Sequence, residues 1–186
     1  MLRDLIVGPH QISFDITNKC NLRCLHCYNS SGENLASQNE LTDQEVLDFI
    51  DEFKSIKLLN FCFCGGEPLL RKELIVEAAK RLRTYGCENV AMVSNGILMT
   101  DEVIEELINA GVTRIQISLD GIKAESHDRI RNKKGVYEKA TRAIEALVKH
   151  GVDTAVAFTP TSFNISELRA VRDYLHTVGI SGTSLR

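Results

Sequence analysis

The chain has 186 residues, 44% hydrophobic and 25% charged, with a formal net charge of −3; that is one domain, able to bury roughly two-thirds of its unfolded surface. Mild acidity without a dense basic stripe excludes a general nucleic-acid binder, and no apolar run approaches the ~20 residues of a membrane span. The opening MLRDLIVGPH lacks a secretory pattern, so six cysteines point to a cytoplasmic protein with metal or redox chemistry rather than disulfides.

Strand-like and helix-like runs then alternate. Gln11–Thr17 reads as a first strand and feeds CNLRCLHC, which spaces Cys20, Cys24 and Cys27 as Cys-x3-Cys-x2-Cys. Three thiols on so short a loop can turn to one point, as ligands of a metal or iron–sulfur centre must. They leave one position short of the four that a structural zinc or electron-transfer cluster takes. A zinc ion completed by His26 or His10 is the bland alternative. Ser30–Asn39 reads as a polar surface loop.

Thr42 and Glu45 form a capping box for a first helix with Val46, Phe49, Ile50 and Phe53 inward. LLNFCFC follows, a continuous apolar run suited to a strand buried on both faces. Its Cys62 and Cys64 share a face and read as small apolar fillers, with extra ligands as the alternative. In Gly65-Gly66-Glu67-Pro68 the glycines permit close approach of backbone to a ligand. Glu67 suits an ammonium group, or equally a helix N-terminus.

A second helix carries Leu74, Ile75, Ala78, Ala79 and Leu82. NVAMVS is a third strand, closing on Ser94-Asn95-Gly96, and a third helix shows Val103, Ile104, Leu107 and Ile108. RIQISLD is a fourth strand whose end places Ser118 and Asp120 where short polar side chains meet hydroxyls or a carboxylate, or simply make a turn. His127–Lys134 reads as a solvated loop, and a fourth helix runs from about Gly135. TAVAFT is a fifth strand closing on Thr159-Pro160-Thr161. A fifth helix carries Leu168, Val171, Leu175 and Val178, and Ile180–Arg186 opens a sixth strand. Gly86, Gly111, Gly151 and Gly179 supply helix C-caps. Cys87 falls on the side away from the motifs and is assigned no function.

Repeated βα units predict an α/β fold with a parallel sheet. The expected form is a partial parallel (β/α)6-type TIM-like barrel, with five complete units plus the start of a sixth strand. Since eight units and ~250 residues close a barrel, residues 1–186 are expected to be one domain cut short. Ligands of such sheets bind at the C-terminal strand ends, where all five motifs fall.

CNLRCLHC, CGGEPLL, SNG and SLDG together resemble the radical S-adenosylmethionine (SAM) superfamily, from about Ser13 to the end. The wording is similar to the branch with a C-terminal auxiliary-cluster extension (SPASM-type), which includes peptide maturases and enzymes of haem and cofactor pathways. The resemblance implies that Cys20, Cys24 and Cys27 hold a [4Fe-4S] cluster whose fourth iron chelates SAM. It implies His26 beside the adenine and Gly65, Gly66 and Glu67 around the methionine ammonium. Asn95, Ser118 and Asp120 would contact ribose or carboxylate, and Arg131 the carboxylate. The expected activity is reductive cleavage of SAM to a 5′-deoxyadenosyl radical that takes hydrogen from a substrate. That substrate is expected to be a peptide, with a tetrapyrrole or cofactor precursor as the alternative, and a flavodoxin or ferredoxin is the expected electron donor. Two departures stand out: the auxiliary-cluster cysteines have no counterpart here, and Cys64 replaces the usual small hydroxyl residue before GGEP.

Overall fold

A computed structural model describes residues 9–32, 39–56, 58–180 and 183–185. Most of the polar loop expected at Ser30–Asn39, and most of the N-terminal decapeptide, lie outside the described residues.

Six strands form one parallel sheet in the order β1-β2-β3-β4-β5-β6: β1 Gln11–Asp15, β2 Asn60–Cys64, β3 Asn89–Ser94, β4 Arg114–Ser118, β5 Asp153–Phe158 and β6 Thr183–Leu185. Sequential order with every connection a crossover is the partial-barrel winding expected from the sequence. The sixth strand is present, with Val156 facing Thr183 and Phe158 facing Leu185. The helices are α1 Asp43–Asp51, α2 Lys72–Thr84, α3 Asp101–Ala110, α4 Ala124–Arg131, α5 Val136–Lys149 and α6 Leu168–Thr177. Among the described residues no helix is long and apolar enough to cross a membrane.

Local chemistry sets the element ends. Thr42 accepts from the Glu45 N–H at 3.2 Å and donates its own N–H to Glu45 Oε2 at 2.8 Å. This capping box satisfies two amides that α1 would otherwise leave orphaned. All four glycines expected as C-caps have positive φ.

The two sheet faces differ. Phe61, Phe63, Val90, Met92, Ile115 and Ile117 are at most 1% exposed and join the helix side chains in one core. Phe14, Phe49, Phe53, Phe61 and Phe63 form a chain of rings with successive centroids 4.9–6.4 Å apart, which seats α1 against β1 and β2. The other, concave face carries Ser13, Asp15, Cys62, Cys64, Ala91, Val93, Gln116 and Ser118, none of them fully buried.

Two expectations are corrected. LLNFCFC is not buried on both faces: β2 alternates, with Phe61 and Phe63 inside and Asn60, Cys62 and Cys64 half-buried. An apolar thiol looks like a core residue in a run of Leu and Phe, but strand periodicity put these two on the other face. The stretch His127–Lys134 is not a solvated loop either. Its first half is the end of α4, in which His127, Ile130 and Arg131 are buried. Asp128 then accepts from the N–H groups of Gly135, Val136 and Tyr137 at 2.6–3.1 Å and so starts α5.

Candidate active site

The cysteine loop leaves β1 at its C-terminal end and crosses the turn that follows β2. Ile16 N–H donates to the Cys64 carbonyl at 3.1 Å, Gly66 N–H to that of Thr17 at 2.8 Å, and Glu67 N–H to that of Lys19 at 2.9 Å. A Cβ on Gly65, which has φ +120°, would sit 2.3 Å from Thr17 O; one on Gly66 would sit 2.2 Å from Lys19 O. The close approach that these glycines permit is therefore to the chain itself. Glu67, fully buried, accepts from Leu69 N–H at 3.2 Å, Ser94 Oγ at 2.9 Å and Asn95 N–H at 2.9 Å. Burial raises its pKa against those three donors. The carboxylate thus ties β2 to β3 and caps the short helical turn beginning at Pro68, the N-terminal role given above as the alternative. Asn95 extends the tie, donating Nδ2–H to Asn21 Oδ1 at 2.8 Å.

A second set of contacts comes from β4 and α4. Asp120, with no exposed surface, places Oδ2 2.6 Å from Arg131 Nη2 and 3.2 Å from His26 Nε2. Its Oδ1 accepts from Thr159 N–H at 3.0 Å. Its backbone N–H donates to His127 Nδ1, and its carbonyl accepts from Asn164 Nδ2. Burial opposes ionisation of Asp120, but His26 and Arg131 outweigh it and hold the carboxyl at about 2. Burial, and then Arg131, push His127 the other way for a base, down to about 4. Arg131 Nη1 reaches Cys24 Sγ at 3.7 Å, and Leu25 N–H donates to the Ile130 carbonyl at 2.9 Å. Helix α4 is thereby docked on the cysteine loop.

Cys20, Cys24 and Cys27 are all half-buried and outside any disulfide. Burial raises the Cys20 and Cys24 thiols, with Arg131 pulling Cys24 back down; Ser31 N–H donates to Cys27 Sγ at 3.4 Å. Among the described residues no three His, Cys, Asp or Glu side chains meet closely enough for a single metal ion. His26 faces Asp120, so the Cys3His zinc site does not assemble. The donor set fits an iron–sulfur cluster instead: three thiols spread over one loop, with N–H donors aimed at two sulfurs, a usual means of setting cluster potential.

Of the other residues singled out in the sequence, Ser118 is half-buried at the last position of β4. Sequence reasoning missed Glu40, which accepts from Asn18 N–H at 2.7 Å and Thr17 Oγ at 2.9 Å, and Arg71, which donates to the Ile16 carbonyl at 2.7 Å. It also missed Asn164 and His127. Only His127 left a signal, its helical spacing from Ile130 and Arg131.

The family model of the radical SAM superfamily matches residues 14–175. The chain belongs to the radical SAM superfamily. It is 36% identical to an AdoMet-dependent heme synthase of Methanosarcina barkeri over 87% of this chain and 45% of that protein. It is 34% identical to the mycofactocin maturase MftC of Mycolicibacterium smegmatis over 87% of this chain and 40% of that one. The chain thus spans less than half the length of these relatives. Among solved structures, SuiB from Streptococcus suis bound to S-adenosylmethionine superposes with a TM-score of 0.81 at 14% identity, over 99% of this chain and 42% of that one. The likeness carries the partial-barrel fold. Membership implies an iron–sulfur cluster and SAM as the cofactors.

Proposed function

We propose that residues 1–186 are the core domain of a cytoplasmic radical SAM enzyme, with Cys20, Cys24 and Cys27 as ligands of a [4Fe-4S] cluster. The observation that carries this is the cysteine loop fixed at the strand mouth by backbone bonds to the Gly65–Gly66–Glu67 turn. When bound, the cluster supplies the electron that splits SAM into methionine and a 5′-deoxyadenosyl radical, which takes hydrogen from the substrate.

The chain's own residues then divide the work. The Gly65–Gly66 turn, shaped by buried Glu67, receives the methionine ammonium; Ser118 and the Asn95 side chain receive ribose or carboxylate. Asp120, His26 and Arg131 hold the cysteine loop in place, and Arg131 donates toward Cys24. An electron donor of the flavodoxin or ferredoxin type delivers to the loop rim, where Leu25 and Tyr28 are exposed.

A peptide undergoing maturation is the substrate we favour, supported by the similarity to the mycofactocin maturase. A tetrapyrrole is the second reading, favoured by the similarity to heme synthases. The test is electron paramagnetic resonance on anaerobically reconstituted, reduced protein with and without SAM, alongside 5′-deoxyadenosine release. A cluster signal that changes with SAM is expected, and Cys24→Ala is expected to abolish both signal and release. Release retained in Cys24→Ala would sink the ligand assignment. Release stimulated by an iron tetrapyrrole and not by precursor peptides would reverse the substrate order.

A further inference from the structure

We propose that Cys62 and Cys64 form a second thiol site, a two-thiolate chelate for a thiophilic metal ion of the zinc and cadmium class. It lies on the concave wall of the sheet, with Cys64 immediately before the Gly65–Gly66 turn, and does not depend on the activity proposed above.

The two sulfurs lie 3.5 Å apart. Residues i and i+2 of a strand project to the same face about 6.6 Å apart at the backbone, so both side chains have turned inward to meet. Both are half-buried rather than enclosed, unlike Phe61 and Phe63 on the other face. Two metal–sulfur bonds of about 2.3 Å spanning that gap subtend about 100° at an ion, near the tetrahedral angle that zinc adopts. Neither sulfur has to move.

Oxidation fits the same pair less well. A disulfide prefers Cα atoms 4.4–6.8 Å apart, and a two-residue step along an extended strand sits at the top of that range. Strand β2 cannot shorten to help, because it is paired with β1 on one side and β3 on the other. Chelation is therefore the chemistry the strand geometry favours.

The surroundings leave room. In register, Ser13 and Asp15 flank Cys62 and Cys64 from β1, and Ala91 flanks Cys62 from β3. Cys62, with Ala91, Val93 and Gln116, lines part of a cavity of about 400 Å³ that opens at the N-terminal ends of the strands, and Cys64 stands outside it. No third His, Cys, Asp or Glu joins the pair among the described residues. A bound ion would take water or an added ligand at its remaining positions.

Cadmium titration of the reduced full chain, followed by its sulfur-to-metal charge-transfer absorbance, tests this. Outer-shell changes alone cost metal sites 10- to 100-fold, so Cys62→Ser and Cys64→Ser should each weaken one class of cadmium site by about 100-fold or more. Cadmium bound by the other thiols should be unaffected. No loss in either variant, or a loss in only one, would overturn the chelate. A second measurement needs no variant: wild-type protein is treated with phenylarsine oxide, which bridges close dithiols, and digested with trypsin. The peptide Leu58–Arg71 contains only these two cysteines and is expected to carry a single arsenic bridge. Recovery of that peptide without the bridge, or as an internal disulfide, would refute the proposal.

Discussion

The cysteine loop is held at two places built from different material. At the Gly65–Gly66 turn the contacts run from backbone to backbone, at 2.8–3.1 Å, and depend on the absence of side chains. At α4 they run mainly between side chains, Asp120 with His26 and Arg131, largely withdrawn from water. The first anchor fixes where the loop's chain runs; the second fixes how its side chains, Cys24 included, are presented. Backbone anchors fail by crowding, and charge anchors fail by being left half-made.

Asp120→Asn should do the greatest damage. It strands the Arg131 charge in a site where loss of one partner costs about 3–5 kcal/mol. Urea midpoints measure the loss, and hydrogen exchange locates it: the Leu25 amide should lose protection while those of Gly66 and Glu67 keep theirs. Equal loss at both would mean that the anchors are one unit. Gly65→Ala attacks the other anchor, adding positive-φ strain to a backbone clash, for about 2–4 kcal/mol. Its exchange pattern should be the mirror image.

Acid should separate the anchors without mutation. His127 has a lower pKa folded than unfolded, so its contribution is complete above about pH 6.5 and is lost as pH falls towards 4, by at most roughly 3 kcal/mol. Asp120 follows the same sign at lower pH: its share is complete above about pH 4 and lost towards pH 2. His127→Gln should flatten the first limb of a stability–pH curve and leave the second. An unchanged first limb would remove His127 from the account. Glu67→Gln is the mildest change, putting an amide where three donors point, for about 1–2 kcal/mol by thermal unfolding.

Legibility from sequence followed the same division. The βα series, the strand ends, the three cysteines and the Gly65–Gly66 turn could be read because they rest on apolar periodicity, spacing and glycine, which are local signals. Helix α4 could not, because the face it buries is His127, Ile130 and Arg131, helically spaced but mostly polar. A search for apolar stripes passes over it. Glu67 was legible as important and not as a clasp, because its partners Ser94 and Asn95 lie nearly thirty residues away. The half-exposure of Cys62 and Cys64 was not legible, because thiols pass for hydrophobes when only their neighbours in sequence are seen.

The two-residue alternation of β2 also makes the strand work like a reading frame. Insertion of one residue between Asn60 and Phe61 would exchange the faces of the rest of the strand, sending both thiols into the helix layer and both phenyl rings out over the concave wall. Length is therefore fixed there more tightly than composition, so any homologous strand grafted into this position must keep its parity before its chemistry can matter.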